Sequence, residues 1–335
     1  MAEELKFNRE VFNAKALPPE SEIMAAWQSE VSVPSVSVVC PTFNHYEFIE
    51  DALKGFLIQK THFPFEVLIH DDASSDGTSR ILREYAKRYP NIIKPVIQDD
   101  NLYSKGVRFL WLRYLHPKAK GKYIALCEGD DFWFDEDKLR CQFRFLEAHP
   151  DYSICAHAVD VINTRKSSHS RSPYKRFDKT VIETEDVISG HFIPTLSIFC
   201  RNQFDGFLDV FDKPIISGDK AIAIFLLRSG KGHFDSRKYG VYRMQDDGIT
   251  NTTRKPIEYV ENMENLVNCS GKFVTDRQYK LMERELSIEY VSAAKKYLSS
   301  GSFIDFIRCI VKGHLINGMS LFHYVSSRVR WIRGN

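Results

Sequence analysis

Three carboxylates lie within four consecutive positions of the chain, at Glu128, Asp130 and Asp131, directly after the apolar run Tyr123–Cys127. At the end of a buried strand they would repel one another and lose hydration unless a cation or several hydrogen-bond donors compensated them. Oxygen-rich sites of this kind favour Mg²⁺, Mn²⁺ or Ca²⁺. The cluster therefore predicts a divalent metal site that could hold the phosphate of a substrate.

Two further polar clusters follow predicted strands in the same way. Pro41–Asn44 comes after the apolar strand Val36–Cys40, and the pair Asp71-Asp72 comes soon after Phe65–Ile69. In sheets of parallel strands, ligands bind where the carboxyl ends of the strands meet. The shared placement of the three clusters predicts one ligand site at one edge of a sheet.

Strands and helices alternate up to about residue 150, which predicts βαβ units, an α/β fold and a mostly parallel central sheet flanked by helices. The predicted strands are Val36–Cys40, Phe65–Ile69, Ile92–Ile97 and Lys122–Cys127, and the predicted helices are Glu47–Gln59, Ser79–Tyr89 and Asp135–His149. We expect Pro41 to end the first strand. Further on, we expect a helix from Gly218, a strand at Tyr239–Tyr242 and helices from about residue 256 onward.

The composition is that of a folded globular protein, with 43% hydrophobic and 27% charged residues, and the net charge of +2 argues against a general nucleic-acid binder. Seven cysteines without a C-x-x-C pair predict buried free thiols rather than a zinc site or disulfides. The charged segment Met1–Glu10 lacks the apolar core of a signal peptide, and no apolar run is long enough to span a membrane. We therefore expect a cytoplasmic protein.

Three segments, Val36–Asn44, Ile69–Thr78 and Ala125–Trp133, together resemble the inverting glycosyltransferases of family 2, which have the GT-A fold. Each segment alone is a weak signal, whereas their order and spacing are specific. The resemblance implies a Rossmann-like nucleotide-binding sheet followed by a helical C-terminal extension. It weakens after about residue 160 and is lost near residue 335.

The resemblance also implies a reaction. A nucleotide-sugar, which we expect to be a UDP-sugar, would lie across the strand ends, and Mn²⁺ or Mg²⁺ would neutralise its diphosphate. A carboxylate would take a proton from the acceptor hydroxyl, which belongs to a saccharide or a lipid-linked saccharide. Such enzymes act in the synthesis of bacterial polysaccharides, O-antigen and capsule.

Roles follow residue by residue from the same resemblance. Asp130 or Asp131 would bind the metal directly, and Glu128 replaces the first Asp of the family's D-x-D motif. The predicted nucleotide-binding residues are Pro41, Thr42, Asn44, Asp72, Asn101, Glu128, Gly129 and Asp130. Gly129 would let the backbone approach the donor closely.

The predicted general base is Asp219, at the start of a helix, with Asp205, Asp209 and Asp212 as rivals. Tyr242–Gln245 resembles a family segment in which a His often stands where this chain has Gln245, so a third protein ligand to the metal is not assured. Arg243 and Gln245 could contact the diphosphate, and a structural salt bridge is the alternative for Arg243.

The expected organisation is a lead-in over residues 1–34, a catalytic domain over 35–250 and a helical region over 251–335. Within the catalytic domain, 35–150 would bind the donor and 151–250 the acceptor. Residues 306–335 combine bulky apolar side chains with basic ones and have no Asp or Glu. Their composition suits peripheral contact with the inner face of an anionic cell membrane, packing on the protein itself, or a homodimer contact.

Two other functions fit part of this pattern. A sugar nucleotidyltransferase also needs a nucleotide pocket and an acidic metal site. Such enzymes usually have a Gly-rich, basic phosphate-binding loop near the start of the chain, whereas the corresponding loop here, Pro41–Asn44, is neither Gly-rich nor basic. A non-catalytic scaffold of a polysaccharide-assembly complex is the third possibility. Release of UDP, release of pyrophosphate, or neither product would separate the three.

Overall fold

The computed structural model describes residues 7–28, 33–163, 168–169, 177–245 and 255–317. The chain divides into two compact units. The first comprises residues 1–183, 192–205 and 229–246, and the second comprises residues 184–191, 206–228 and 247–335.

The first unit is an α/β unit built on one large sheet. Its strands are β1 (Val36–Thr42), β2 (Phe65–Asp71), β3 (Ile93–Ile97), β4 (Tyr123–Leu126), β5 (Phe132–Trp133), β6 (Tyr152–Asn163), β7 (Ser168–His169), β8 (Val181–Ile182), β9 (Phe199–Arg201) and β10 (Lys231–Met244). Its helices are α1 (Arg9–Ala14), α2 (Glu20–Ala25), α3 (Ile49–Leu57), α4 (Thr78–Arg88), α5 (Leu110–Tyr114) and α6 (Lys138–Ala148), with 3₁₀ turns at His116–Lys118 and Thr195–Ser197.

The strands run in the order β3-β2-β1-β4-β9-β6-β10-β5, with β7 beside β6 and β8 beside β10. The pairs β3/β2, β2/β1, β1/β4 and β6/β10 are parallel, whereas β9 and β5 pair antiparallel with their neighbours. The predicted α/β fold with a mostly parallel central sheet is thereby confirmed.

Strand β1 lies at the centre of the part of the sheet that carries the polar clusters. Val36 pairs with Phe65 of β2 and with Tyr123 of β4, so the three strands start level with one another. Their carboxyl ends therefore meet at one edge. All seven residues of β2 are buried, as expected of a parallel strand covered on both faces.

The prediction that Pro41 ends the first strand is wrong, because β1 continues to Thr42. The ladder with β4 ends at the pair Val39–Leu126. The carbonyl of Pro41 accepts from the N–H of Gly129 on that side, at 3.0 Å. The missing N–H of the proline therefore falls beyond the last residue pair of the β1–β4 ladder.

Helix α3 and strand β5 anchor the sheet next to the acidic cluster. Phe56 of α3 and Trp133 of β5 are fully buried, with ring centroids 4.9 Å apart in an edge-to-face contact. The indole Nε1 of Trp133 donates to the carbonyl of Leu196 at 2.8 Å. The segment that follows the cluster is thus fixed by packing and by a hydrogen bond.

The second unit is helical. Its helices are α7 (Thr184–Ile188), α8 (Phe207–Val210), α9 (Gly218–Leu227), α10 (Pro256–Ser270), α11 (Asp276–Ser299) and α12 (Phe303–Asn317). Helix α9 is buried from Ala221 to Leu227. Helices α11 and α12 pack closely at Gly313, whose carbonyl accepts from the Ser287 hydroxyl at 2.8 Å.

Most of the other predicted elements occur with boundaries that differ by a few residues. The strand predicted at Tyr239–Tyr242 is part of the much longer β10, which begins eight residues earlier, at Lys231. Helices α10 to α12 confirm the helices expected from about residue 256. All seven cysteines are free and six of them are buried, as predicted. No helix in the described ranges combines the length and apolar character needed to cross a membrane.

Candidate active site

The loop after β4 continues the pairing of that strand with β1. The N–H of Cys127 donates to the carbonyl of Val39 at 3.1 Å, and the N–H of Gly129 donates to that of Pro41 at 3.0 Å. A Cβ at Gly129 would lie 2.6 Å from Oγ1 and 2.8 Å from Cβ of Thr42. Glycine at this position therefore lets the acidic loop lie directly against the end of β1.

This loop gathers the carboxylates of Glu128, Asp130 and Asp131, whose candidate ligand atoms all lie within 4.8 Å of one another. Asp131 is 1% exposed. Its Oδ1 accepts from the backbone N–H of Arg243 at 2.7 Å, while its buried Oδ2 has no hydrogen-bond partner among the described residues. A buried carboxylate oxygen left in this way is costly unless a cation or donor completes it.

The negative charges within the cluster act on Asp131. Burial raises the pKa of Asp131 well above its usual range, and the negative charges of Asp130 and Glu128 raise it further. The N–H and the positive charge of Arg243 oppose this rise without cancelling it. The three carboxylates and the orphaned oxygen fit a divalent cation that prefers oxygen ligands.

Asp130 has two polar neighbours. Its Oδ2 accepts from Nε2 of Gln245 at 2.7 Å, and Nε2 of His45 lies 4.0 Å from the same oxygen. The other ring nitrogen of His45 is 3.1 Å from Oγ1 of Thr42. The structure thus brings Thr42, Asp130 and Gln245 together as the sequence suggested. It adds His45, whose only signal in the sequence was its place next to Asn44 after β1.

Arg243 acts as a clamp on the acidic loop. Its Nη1 donates to the backbone carbonyl of Asp130 at 2.6 Å, and its Nη2 forms an ion pair with Asp51 of α3. The guanidinium carbon also lies 4.4 Å from the ring centroid of Phe132. Arg243 is 7% exposed, so its charge is directed into the protein. Asp51 was missed in the sequence, where nothing linked it to a residue 192 positions away.

Asp72 organises a neighbouring loop. Its N–H donates to the carbonyl of Thr42 at 3.1 Å, and its carboxylate accepts the backbone N–H groups of Leu102 and Tyr103 at 2.8 and 2.9 Å. Asn101 lies in the same loop, where its Oδ1 accepts from the N–H of Ser104 at 2.7 Å. Asp72 is therefore next to the end of β1, as expected. Asn101 directly precedes Leu102 and Tyr103, the two residues whose N–H groups donate to Asp72.

Asn44 joins the loops that follow β1 and β2. Its N–H donates to the hydroxyl of Ser74 at 2.8 Å, and its Oδ1 accepts from the N–H of Ser75 at 2.9 Å. Its φ of 52° is in the left-handed region, which asparagine tolerates better than most residues. Asn44 thus shapes the edge of the sheet on which the predicted nucleotide-binding residues lie.

Asp219 lies in the second unit, in the first turn of α9. Burial raises the pKa of its carboxyl, and a backbone hydrogen bond partly opposes the rise. The rival carboxylates Asp205, Asp209 and Asp212 are all exposed. Among these four, Asp219 is the one whose environment departs from that of an ordinary surface acid.

A buried lysine lies behind the site and was not anticipated. Lys138, the first residue of α6, is fully buried, and its Nζ lies 3.7 Å from the ring centroid of Trp133. Nζ has no hydrogen-bond partner in the part of the chain that the structure describes. Burial lowers the pKa of Lys138 to about 7. Its place at the start of an amphipathic helix gave no sign of this.

A family model described as glycosyl transferase family 2 matches residues 37–207. Uncharacterized protein Rv1520 of Mycobacterium tuberculosis is 39% identical over 168 residues, which cover 50% of this chain and 47% of the relative. The chain thus spans about half the length of the first curated relatives that it matches.

Two solved structures share the fold at low sequence identity. S. aureus TarS 1–349 in complex with UDP-GlcNAc has a TM-score of 0.65 at 15% identity and covers 84% of this chain and 81% of its own. The mannosyltransferase PcManGT from Pyrobaculum calidifontis, in complex with GDP-Man and Mn²⁺, has a TM-score of 0.52 at 14% identity. The match covers 96% of this chain and 88% of the PcManGT chain.

Proposed function

The chain belongs to glycosyl transferase family 2, and we propose that it transfers a sugar from a nucleotide-sugar donor to a hydroxyl group of an acceptor. The observation that carries the proposal is the buried Oδ2 of Asp131, which lies within a cluster of three carboxylates and is unpartnered among the described residues. A divalent cation would stabilise such a cluster, and the same cation would neutralise the diphosphate of a nucleotide-sugar.

Asp131, with Asp130 and Glu128, would hold Mn²⁺ or Mg²⁺. Asp131 is the better direct ligand, because its Oδ2 has no other partner in the described ranges, whereas Oδ2 of Asp130 already accepts from Gln245. When bound, the ion supplies positive charge to the diphosphate that leaves. The Mn²⁺ in the complex of PcManGT supports this choice of metals.

The donor is proposed to be a UDP-sugar bound by the half of the first unit that contains residues 35–150. Pro41, Thr42, Asn44 and Asp72 lie together at the ends of β1 and β2. Each carboxylate oxygen of Asp72 holds one backbone N–H and can accept a second donor, such as the N–H of a uracil ring. The UDP-GlcNAc bound by TarS supports a uridine nucleotide.

Asp219 is proposed as the general base of an inverting displacement. The acceptor hydroxyl oxygen would form the new bond to the anomeric carbon and give its proton to the Asp219 carboxylate. The bond from that carbon to the diphosphate oxygen would break, and its electron pair would leave with the nucleoside diphosphate. Because its pKa is raised, the Asp219 carboxylate is a stronger base than an ordinary surface aspartate.

Arg243 is proposed to position the acidic loop rather than to contact phosphate. Its guanidinium is already engaged by Asp51 and by the carbonyl of Asp130, and it is almost fully buried. Gln245 fixes the rotamer of Asp130 by donating to it. Both residues would act on the donor through the carboxylates that they hold.

The acceptor is proposed to be a saccharide or a lipid-linked saccharide of a bacterial surface polysaccharide. The test supplies UDP-glucose, UDP-galactose, UDP-GlcNAc and GDP-mannose separately, with MnCl₂ or EDTA, and measures the nucleoside diphosphate that is released when water takes the sugar in place of the acceptor hydroxyl. We expect diphosphate from one donor, only with the metal, and none from Asp131→Asn. The control Asp151→Asn removes an exposed carboxylate and should behave as wild type.

Other products would favour the other functions. Pyrophosphate formed from a sugar phosphate and UTP would indicate a nucleotidyltransferase. Tight binding of UDP with no turnover of any donor would favour a scaffold. Diphosphate release that is equal in EDTA and in MnCl₂ would contradict the proposed role of the carboxylate cluster.

A further inference from the structure

We propose that the imidazole of His45 is a binding group for the diphosphate of the nucleotide-sugar donor, an assignment that rests on the proposed transfer function. The ring lies between the loop that follows β1 and the acidic loop that follows β4. Its Nδ1 is 3.1 Å from Oγ1 of Thr42, and its Nε2 is 4.0 Å from Oδ2 of Asp130. A Cβ at Gly129 would lie 3.0 Å from Nδ1, so the ring packs against the backbone of the acidic loop.

The place of His45 matches the middle of an extended donor. Asp72, the proposed partner of the base, donates its N–H to the carbonyl of Thr42 at 3.1 Å, and the Thr42 hydroxyl contacts one ring nitrogen of His45. Asp130 of the carboxylate cluster lies nearest to the other ring nitrogen. In a nucleotide-sugar the diphosphate joins the nucleoside to the sugar, and the cation binds the diphosphate. A donor with its base at Asp72 and its cation at the cluster would therefore bring its diphosphate to His45.

The backbone of His45 holds the ring in this place without help from the side chain. Its N–H donates to Oγ1 of Thr78 at 3.0 Å, and its carbonyl accepts the N–H groups of Phe48 and Ile49 at the start of α3, at 2.9 and 2.8 Å. The side chain is 20% exposed, so a ligand can reach it. The distance of 4.0 Å from Nε2 to Asp130 is longer than a hydrogen bond. The ring is thus fixed at the surface of the site and keeps the bonding capacity of Nε2 for a ligand.

Charge gives a reason for a hydrogen-bond donor at this position. Three ionised carboxylates and one divalent cation leave a net negative charge beside a ligand that is itself an anion. The guanidinium of Arg243 is directed elsewhere, because it is engaged by Asp51 and by the carbonyl of Asp130. We assign the hydrogen bond with Thr42 as one that Nδ1 of His45 accepts, so that a proton on Nε2 can be donated to a phosphate oxygen.

The same contacts favour a phosphate over the cation as the partner of His45. The candidate ligand atoms of Glu128, Asp130 and Asp131 all lie within 4.8 Å of one another, and His45 lies outside this group. Mn²⁺ and Mg²⁺ also prefer carboxylate oxygens to imidazole nitrogens as ligands. We therefore expect Mn²⁺ alone to bind equally well with and without the imidazole.

The test compares two replacements of His45 in the full chain by calorimetric titration with UDP in MnCl₂. Asn places its amide near the position of Nδ1 and removes Nε2, whereas Gln places an NH₂ group near the position of Nε2. His45→Asn should weaken UDP binding about ten-fold or more, the usual size of a hydrogen bond to a charged group, and His45→Gln should weaken it less. The affinity for uridine, followed by ligand-detected NMR, and the affinity for Mn²⁺ alone should be unchanged in both variants.

The matched control is His314→Asn, which makes the same change at an exposed histidine of α12 and should bind UDP as wild type does. Binding of UDP to His45→Asn at wild-type strength, an equal loss in the Asn and Gln variants, or an equal loss of uridine binding would overturn the assignment and leave the proposed transfer reaction standing. Weaker binding of Mn²⁺ alone would also overturn it, since His45 would then act through the cation. A wild-type protein that binds no UDP in MnCl₂ would contradict the proposed function together with the assignment.

Discussion

Replacing Asp131 by Asn should stabilise the metal-free protein while removing its response to metal. The substitution keeps the acceptor at Oδ1, which receives the N–H of Arg243, and replaces the orphaned, buried Oδ2 by an NH₂ group. The new donors would face the carboxylates of Asp130 and Glu128, within the 4.8 Å cluster. A repulsive arrangement of three acids becomes one of two acids and a donor.

The magnitude follows from the cost of a buried polar atom without a partner, which is about 1–3 kcal/mol. In a unit of this size each kcal/mol shifts the melting temperature by about 2–4 °C, so Asp131→Asn should melt about 2–12 °C above wild type in EDTA. Saturating wild type with Mn²⁺ and UDP at about a hundred times the Kd should add about 2.7 kcal/mol, or about 5–11 °C. The melting temperature of Asp131→Asn should rise little on addition of Mn²⁺ and UDP. The difference in melting temperature between the variant and wild type should therefore narrow or change sign.

The assay is calorimetric melting of wild type, Asp131→Asn and Asp151→Asn in EDTA and in MnCl₂ with UDP. Because the raised pKa of Asp131 favours its neutral form in the folded state, wild type loses stability as the pH rises through that pKa. The advantage of the Asn variant should therefore be smaller at acid pH than at neutral pH. An Asn variant less stable than wild type in EDTA, or stabilised by Mn²⁺ as strongly as wild type, would refute the reasoning.

Four further changes test other parts of the site. Asp219→Asn should lower kcat by roughly 10²–10⁴-fold and leave the Kd of the donor unchanged. In wild type, kcat should fall as the pH drops through the raised pKa of Asp219, because a general base must be ionised to accept a proton. A variant that turns over as fast as wild type would remove Asp219 from the mechanism. Asp51→Asn should lower the free energy of unfolding, measured in urea, by about 1–3 kcal/mol, which is less than the loss of one partner of a fully buried ion pair because Asp51 is 22% exposed. The same variant should bind Mn²⁺ more weakly when the affinity is measured by calorimetry. An unchanged Mn²⁺ affinity would contradict the role of Arg243 as a clamp. Gly129→Ala should cost about 1–3 kcal/mol in the same unfolding assay, since its Cβ overlaps Thr42, and wild-type stability would argue against that close approach. Lys138→Met should raise the free energy of unfolding by up to roughly 4–5 kcal/mol at pH 7. This gain over wild type should shrink between pH 7 and 10.5, because in that range the lysine is protonated in the unfolded chain and neutral in the folded protein. A gain that grows with pH would show that burial shifts the pKa of Lys138 in the opposite direction.

The fold class and part of the candidate site could be predicted from the sequence. Alternating apolar strands and amphipathic helices are local patterns, because side chains a few positions apart decide which face of an element is buried. Val36–Thr42, Phe65–Asp71 and Tyr123–Leu126 were therefore found to within a few residues, and so was the edge at which their polar clusters meet. The three acids near one another in sequence could hardly be far apart in space.

The tertiary structure alone decided which polar atoms are paired and which are left open. Asp131 receives its N–H from a residue 112 positions away, and Arg243 finds its counter-ion at Asp51, 192 positions away. No periodicity in the sequence links such residues, because their contact depends on how the whole sheet is ordered. The same holds for His45 beside Asp130. Sequence thus determined the kinds of groups at the strand ends, whereas packing between distant segments determined their burial and their charge balance, and it left Oδ2 of Asp131 without a hydrogen-bond partner among the described residues.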